Sequence, residues 1–188
     1  MTSRLIYVVG ASGSGKDSLM RYAREQLAGD PSVLFAHRYI TRPADVGGEN
    51  HVALSAREFT ARDAARLFAL RWHSHGHAYG VGIEINEWLA RGATVVVNGS
   101  REYLPEARHH YPELLAVWIE VPTEVLRERL VRRGRENAEA VAARLARHGA
   151  LQATPREGVL IHNDGPLADA GEALVAAIVQ RMRPQRCA

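Results

Sequence analysis

The chain has 188 residues, 46% hydrophobic and 24% charged, which is typical of one soluble globular domain. Its net charge of +3 is not concentrated in a basic patch with interleaved aromatic residues, which argues against nucleic-acid binding. The apolar runs are too short to cross a bilayer, no signal peptide is evident, and Cys187 is the only cysteine, so no internal disulfide can form. We therefore expect a cytoplasmic protein that binds neither nucleic acid nor membranes.

Strand and helix patterns alternate along the chain. A β-branched run at residues 4–10 predicts a buried strand, and residues 17–29 follow with an apolar stripe at helical spacing. The other predicted strands are Val33–Tyr39, Leu67–Trp72, Ala93–Asn98, Leu114–Val121 and Val159–His162. The other predicted helices are Ile83–Arg91, Ser100–His109, Thr123–Arg133, Ala138–His148 and Leu167–Arg183. This alternation predicts an α/β fold with a parallel sheet flanked by helices. We expect a single domain, residues 1–188, with two mobile inserts at about 40–80 and 134–150.

A glycine-rich loop joins the first predicted strand to the first predicted helix. Its pattern, Gly10-x-x-x-x-Gly15-Lys16, is typical of a loop whose backbone N–H groups surround nucleotide phosphates. Lys16 is the only lysine among 24 basic residues, and a compact ammonium suits a phosphate. We therefore predict a P-loop that binds a nucleoside triphosphate. Its phosphate-binding residues are expected to be Gly10, Ala11, Ser12, Gly13, Ser14, Gly15, Lys16, Asp17 and Ser18.

The residue after the lysine is unusual for such a loop. A hydroxyl that reaches the Mg²⁺ of the nucleotide is typical there, whereas this chain has Asp17 and brings the hydroxyl one residue later, at Ser18. Three interpretations are open: a carboxylate that favours the helix N-terminus, a carboxylate that ligates Mg²⁺ directly or through water, or a degenerate loop. Because a carboxylate beside a phosphate needs a cation between them, we favour the metal-binding interpretation, with Ser18 as a second candidate ligand.

Motifs along nearly the whole chain resemble those of guanylate-kinase-like P-loop kinases. They are "GASGSGKDSL", "HRYITRP", "GHAYGV", "RGRENAEAVAARL" and "HNDG", in that order. The resemblance implies that Arg42 and Tyr79 hold the phosphate of the acceptor, and that Asn163 lies beside the adenine of bound ATP. It also implies a lid whose arginines neutralise the transferring phosphoryl group. These lid arginines, the first of which also contacts ATP, are Arg133, Arg135 and Arg144.

Departures from guanylate kinases concern recognition of the base. By an ungapped count back from Tyr79, Leu70 stands where that family has a glutamate that reads guanine, and Asn98 ends the central strand where it has an aspartate. Without both carboxylates the guanine N–H donors lose their acceptors. The family's second arginine after the segment matched by "ITR" is also missing, since "PADVGGEN" follows Arg42.

A second resemblance accounts for these departures. The segments "GKDS", "HRYITRP", "VNGSR" and "RGREN" closely resemble the ribose 1,5-bisphosphate phosphokinase family of bacterial phosphonate degradation. That family transfers the γ-phosphoryl group of ATP to the 1-phosphate of ribose 1,5-bisphosphate and forms 5-phosphoribosyl 1-diphosphate. The resemblance implies the same reaction here, with ATP and Mg²⁺, and "GKDS" is then the family's own form of the loop.

An acceptor with a phosphate at each end of a ribose needs several cations. Arg38, Arg42 and Arg101 are the candidates, the last because it follows the carboxyl end of the central strand, where ligands bind in open α/β sheets. Asn98 and His51 are candidate partners for the ribose hydroxyls. The second pKa of a phosphate monoester is about 6, so the attacking oxygen is mostly ionised at neutral pH and needs no general base.

Two groups of residues have competing interpretations. The alternating His73, His75 and His77 suit a metal site or, as we favour, a loop that faces substrate or solvent. The arginines of residues 132–135 suit a lid, which we favour, or a solvated helix end.

Other functions stay open on the sequence alone. One is a kinase for a nucleoside monophosphate such as GMP, since an insertion would shift the ungapped count to Leu70. Another is a non-catalytic binding module, which guanylate-kinase-like domains also form, although the retained Lys16 and loop glycines argue against it. The substrate is expected to be a small molecule, and the sequence does not distinguish a monomer from a homodimer.

Overall fold

Nine strands and seven helices make up the described part of the chain, residues 4–43, 51–134, 138–152 and 156–182 of a computed structural model. The strands are β1 (Leu5–Gly10), β2 (Val33–Phe35), β3 (Arg38–Ile40), β4 (Val52–Ala53), β5 (Phe68–Ser74), β6 (His77–Gly82), β7 (Thr94–Asn98), β8 (Leu115–Glu120) and β9 (Val159–His162). The helices are α1 (Lys16–Gln26), α2 (Ala56–Ala64), α3 (Glu84–Ala90), α4 (Leu104–His110), α5 (Thr123–Arg133), α6 (Ala138–Gln152) and α7 (Leu167–Met182).

The main sheet has five parallel strands in the order β2-β7-β1-β8-β9. Its central strand β1 is buried on both faces. Leu5, Tyr7 and Val9 point into one apolar cluster, and Ile6 and Val8 point into another that includes side chains of α1 and α7. Both faces of a parallel sheet are normally covered in this way, which is why its strands are apolar throughout. The predicted α/β fold with a helix-flanked parallel sheet is confirmed.

A second, four-stranded sheet is built from the segment between β2 and α3, in the order β4-β3-β6-β5. Strand β6 pairs antiparallel with both β3 and β5, while β4 pairs parallel with β3. Helix α2 contributes Phe59 to a small core with Leu54, Phe68 and Ala78. This sheet spans residues 38–82, so it extends two residues beyond the predicted insert 40–80 at each end.

The prediction of one strand over Val33–Tyr39 is wrong. Residues 33–35 pair with β7 in the main sheet, whereas residues 38–40 pair with β6 in the second sheet. The backbone N–H of Ala36 still donates to the carbonyl of Val96 at 2.9 Å, so the chain leaves the main sheet at this point. The strand predicted at Leu67–Trp72 is present as β5, but it belongs to the second sheet and pairs antiparallel with β6.

Two helices, α2 and α4, differ from the sequence-based expectation, and a local signal marks the start of each. Helix α2 was not predicted, although its cap is visible in the sequence as Ser-x-x-Glu: Ser55 Oγ accepts from the backbone N–H of Glu58 at 3.1 Å. Helix α4 begins at Leu104 instead of residue 100, and Pro105 occupies its first turn, where a proline is well tolerated. Within the described ranges, no helix combines the length and apolar character required to cross a bilayer.

Candidate active site

A pocket lies between the carboxyl edge of the main sheet and the second sheet. Most of the residues predicted to bind substrates line it, from both sides. The predicted residues among its lining are Gly10, Ala11, Ser12, Gly13, Gly15, Lys16, Asp17, Ser18, Arg38, Arg42, Tyr79, Arg101 and Arg144.

The glycine-rich loop forms one wall of this pocket. It turns tightly after β1, with the backbone N–H of Ser14 donating to the carbonyl of Ala11 at 3.0 Å, and α1 then begins at Lys16. The first helical hydrogen bond joins the N–H of Leu19 to the carbonyl of Gly15 at 3.0 Å. The N–H groups before it have no partner inside the helix, so they and the helix dipole make this end suited to an anion.

Lys16 and Asp17 are held together at the start of α1. Lys16 Nζ lies 3.7 Å from Asp17 Oδ1, and the lysine side chain is only 12% exposed. The same carboxylate oxygen accepts a hydrogen bond from Asn98 Nδ2 at 2.9 Å, from the end of the neighbouring strand β7. Asn98 is itself buried, so it fixes the direction in which Asp17 points. The predicted contact of Asn98 with a ribose hydroxyl stays a prediction.

Tyr7 supports the segment that follows β7. Its buried hydroxyl accepts from the backbone N–H of Ser100 at 3.0 Å, and it donates to the carbonyl of the same residue at 3.4 Å. Burial raises the pKa of the Tyr7 phenol well above its usual value, so the hydroxyl remains protonated. The next residues, Arg101 and Glu102, line the pocket. The hydrogen bonds between Tyr7 and Ser100 therefore hold in place the segment of the pocket wall that contains Arg101 and Glu102.

Aromatic rings form the opposite wall, on the second sheet. The rings of Trp72 and Tyr79 stack at 5.5 Å with an interplanar angle of 3°. Tyr103, from the turn before α4, also stacks with Trp72 at 5.5 Å. Arg38 is buried, and its guanidinium carbon lies 5.2 Å from the centre of the Tyr79 ring. Leu70 is buried in the same apolar cluster as Trp72. This wall thus presents stacked aromatic rings and a buried cation to the pocket.

The residues beside Arg42 are fixed by hydrogen bonds between strands. Thr41 Oγ1 accepts from the backbone N–H of Ala78 at 2.8 Å, and His77 Nδ1 lies 3.0 Å from the carbonyl of Thr41. His51 is buried with Nε2 3.2 Å from the carbonyl of Arg42. His51 therefore contacts the backbone of an arginine that lines the pocket, and its predicted role at a ribose hydroxyl stays a prediction.

The three alternating histidines take different positions. His73 is exposed on β5, and His77 is on β6, where the two strands form a hairpin. His75 is in the turn between them, with a left-handed φ of 49°, and it lines the pocket. The hairpin thus separates the histidines and turns one of them toward the site.

The lid residues are described only in part. Arg144, on α6, donates to Ser12 Oγ of the glycine-rich loop. The side chain of Arg133 and all of Arg135 lie outside the described residues. Two other predicted ATP-binding residues are buried and do not line the pocket: Ser14, within the loop, and Asn163, behind it. Asn163 Nδ2 donates to the carbonyl of Ser14 at 2.6 Å.

Several residues that line the pocket were not predicted as site residues. They are Trp72, Ser74, His75, Gly99, Ser100 and Glu102. The position of Arg101 after the central strand also indicates that its neighbours Gly99, Ser100 and Glu102 line the pocket, because the turn at a strand's carboxyl end faces the crevice. No comparable signal indicates that Trp72 and Ser74 of β5 line the pocket, because the local sequence does not specify the pairing of β5 with β6.

The charge of the pocket suits polyphosphates. Its lining carries five basic side chains (Lys16, Arg38, Arg42, Arg101 and Arg144) and two acidic ones. Backbone N–H groups of the loop and Lys16 fit the phosphates of a nucleoside triphosphate. Asp17 and Ser18 offer the oxygen ligands that Mg²⁺ prefers, on the side of the pocket where those phosphates would lie. The residues present therefore fit both ATP and Mg²⁺.

Comparison with known proteins agrees with this arrangement. No protein-family model matches the chain. Among solved structures, the fold is similar to guanylate kinase from Anaplasma phagocytophilum, with a TM-score of 0.66 and 15% sequence identity, over 98% of this chain and 89% of that one. It is also similar to a sugar kinase from Janibacter sp. HTCC2649, with a TM-score of 0.51 and 18% identity, over 94% and 95% of the two chains. At these identities the likeness establishes the fold alone.

Sequence relatives are much closer. The chain is 62% identical over 174 residues to the ribose 1,5-bisphosphate phosphokinase PhnN of Thiobacillus denitrificans, which covers 92% of this chain and 90% of that protein. It is 57% identical over 178 residues to the protein of the same name from Desulfomicrobium baculatum, covering 95% of each. The chain belongs to the ribose 1,5-bisphosphate phosphokinase family.

Proposed function

We propose that this protein transfers the γ-phosphoryl group of ATP to the 1-phosphate of ribose 1,5-bisphosphate, giving 5-phosphoribosyl 1-diphosphate and ADP. The observation that carries the proposal is the pocket in which the glycine-rich loop faces Arg38 and Tyr79 of the second sheet. The high identity to proteins named for this reaction supports it. We place the reaction in the cytoplasm, where ATP is available.

The proposed reaction needs positioning more than proton transfer. An oxygen of the 1-phosphate attacks the γ-phosphorus of ATP, a new P–O bond forms, and the bond between that phosphorus and the β–γ bridging oxygen breaks. The bridging oxygen leaves with ADP. Because the second pKa of the acceptor phosphate is about 6, the attacking oxygen carries negative charge at neutral pH without a base. The cost to be overcome is repulsion between two polyanions.

The side chains of the pocket divide this task between two walls. On the loop side, Lys16 and the N–H groups before α1 would hold the β- and γ-phosphates. On the opposite side, Arg38, Arg42 and the Tyr79 hydroxyl would hold the acceptor phosphate. Arg144 already contacts the loop from α6 and would screen the transferring group. Asp17 and Ser18 would hold Mg²⁺, whose positive charge would offset the repulsion between the two substrates.

The direct test is ADP release from Mg²⁺-ATP with ribose 1,5-bisphosphate, with GMP and without an acceptor. Release that requires the bisphosphate supports the proposal, particularly if the product is identified as 5-phosphoribosyl 1-diphosphate by mass spectrometry. Release of ADP with GMP but not with the bisphosphate would make the protein a nucleotide kinase. Tight ATP binding with no release for any acceptor would favour a binding module.

Asp17→Ser is expected to raise the Mg²⁺ concentration for half-maximal rate by roughly tenfold and to lower kcat. A neutral hydroxyl is a weaker ligand than a carboxylate, and the substitution also removes the acceptor of the Asn98 hydrogen bond. The measurement is the initial rate of ADP release over a Mg²⁺ titration at fixed ATP and acceptor.

The matched control for Asp17→Ser is Glu25→Ser, which removes an exposed carboxylate from the same helix and should leave the Mg²⁺ titration unchanged. If Asp17 only favours the dipole of α1, its variant will show a slightly lower Tm and a normal Mg²⁺ titration. That result would contradict the metal-binding role.

Arg38→Met is expected to raise the KM for ribose 1,5-bisphosphate by about ten- to a hundredfold and to leave the KM for ATP nearly unchanged. The buried guanidinium is a charged donor on the acceptor wall, and a hydrogen bond to a charged group is worth about 1.5–3 kcal/mol. Steady-state kinetics with each substrate varied in turn separate the two constants.

Arg62→Met is a matched control for Arg38→Met. Its guanidinium also lies over an aromatic ring of the second sheet, 5.0 Å from the centre of Tyr39, but Arg62 belongs to α2 and is not part of the pocket lining. Both KM values of this variant should match the wild type. A rise in the KM for ATP in Arg38→Met, with a normal acceptor KM, would refute the assignment of Arg38 to the acceptor.

A further inference from the structure

The carbonyl of Ser14, in the glycine-rich loop, accepts hydrogen bonds from two side chains behind the loop. Asn163 Nδ2 donates to it at 2.6 Å and Arg129 Nη1 at 3.4 Å. Asn163 is 3% exposed and follows β9, where its own backbone N–H donates to the carbonyl of Glu120 at 2.8 Å. Both donors therefore come from the frame of the main sheet and its helix α5, not from the pocket surface.

The direction of this carbonyl determines the direction of the next N–H. All peptide bonds of the described residues are trans, and in a planar trans peptide the C=O and the following N–H point in opposite directions. The carbonyl of Ser14 points backward, toward Asn163 and Arg129. The N–H of Gly15 consequently points forward, and Gly15 lines the pocket at the start of α1.

The backbone conformation of Gly15 and its lack of a side chain both suit the close approach of Asn163 to the loop. Its φ of +85° is in the left-handed region, and a Cβ at this position would lie 2.4 Å from Asn163 Nδ2. The absence of a side chain thus lets the amide of Asn163 approach the loop closely. The loop conformation and the buried asparagine are adapted to each other.

We propose that Asn163 and Arg129 are positioning residues that turn the Ser14–Gly15 peptide so that its N–H meets the phosphates of the bound nucleotide. Asn163 then acts on phosphate binding and not on the adenine, beside which the family resemblance placed it. Arg129 adds a positive charge behind the same peptide, where it stabilises the backward-pointing carbonyl of Ser14. The inference rests only on the nucleoside-triphosphate-binding part of the proposed function.

The test compares two ligands, Mg²⁺-ATP and inorganic tripolyphosphate with Mg²⁺, by isothermal titration calorimetry. Asn163→Leu has a similar volume, carries no charge and lacks the donor. It should raise the Kd for both ligands by the same factor, about tenfold, because both depend on the loop. In steady-state kinetics the KM for ATP should rise while the KM for ribose 1,5-bisphosphate stays unchanged.

A second pair of variants keeps the test decisive if Asn163→Leu does not fold, as judged by thermal melting. Arg129→Met removes the other donor from a partly exposed position, and it should weaken both ligands equally, by about two- to fivefold. Arg127→Met, on the exposed side of the same helix, is the matched control and should bind both ligands as the wild type does.

The outcomes are distinct. A loss of ATP affinity with unchanged tripolyphosphate affinity would overturn the proposal and return Asn163 to the adenine. Unchanged affinity for both ligands in folded variants would overturn it as well. A wild-type protein that binds neither ligand would overturn the proposed function itself, and this would be evident before any variant is compared.

Discussion

Replacing Lys16 with methionine is expected to lower kcat for phosphoryl transfer at least about 100-fold, the loss seen when one preorganised group that stabilises developing charge is removed. Lys16 is the first residue of α1, and its ammonium lies at the pocket beside the glycine-rich loop. Its neighbour Asp17 would then remain without the nearby positive charge, which adds repulsion toward the phosphates. The measurement is ADP release at saturating ATP and acceptor.

Lys16→Arg distinguishes a specific amine from a positive charge alone. The planar guanidinium of arginine is larger than an ammonium and directs its N–H donors differently, so we expect this variant to recover little of the lost rate. The Tm of both variants should stay within about 2 °C of the wild type, since neither substitution removes core packing. Activity of Lys16→Met near that of the wild type would place the transferring phosphoryl group elsewhere.

Gly99→Ala is expected to destabilise the fold by about 3 kcal/mol, at the upper end of what overpacking of a core costs. A Cβ on this residue would lie 2.2 Å from a ring carbon of Tyr7. The ring is fully buried in the central strand and its hydroxyl is tied to Ser100, so it has no room to move. Urea denaturation should report the loss, and Tm should fall by roughly 6–12 °C.

Two further variants identify the cause of that destabilisation. Gly29→Ala should change the free energy of unfolding by no more than about 0.5 kcal/mol, because a Cβ there meets no atom within 4 Å. Tyr7→Leu removes most of the ring. In a protein that already carries Tyr7→Leu, adding Gly99→Ala should lower the free energy of unfolding clearly less than it does in the wild type. Equal costs in both backgrounds would show that contact with the ring is not the reason Gly99 is a glycine.

The half of the site proposed to bind the nucleotide was predictable because its signals are local. The β-branched run before Gly10, the spacing to Lys16 and the apolar stripe of α1 lie within a few residues of one another. Such patterns directly specify a strand, a turn and a helix. The same holds for β7 and β8, whose residues are mostly apolar and buried because both faces of the sheet are covered there.

The half of the site proposed to bind the acceptor depends on contacts between distant residues. Val33 to Tyr39 looks like one strand, and nothing in the run itself shows that it leaves one sheet at Ala36 and joins another at Arg38. Likewise, Asn163 is 149 positions from the carbonyl that it holds. Such pairings are determined by the packing of the whole chain, and a local pattern therefore could not reveal that Asn163 is behind the loop.

The composition of the chain gives this pocket an unusual chemical handle. Lys16 carries the only side-chain amine in the protein, because the other basic residues of the Lys and Arg count are arginines. Its 12% exposed side chain opens into the pocket, at the wall proposed to bind ATP. An amine-directed acylating reagent therefore has only the chain's α-amino group and this pocket to label. Protection of that second position by a ligand would report directly on occupancy of the phosphate loop.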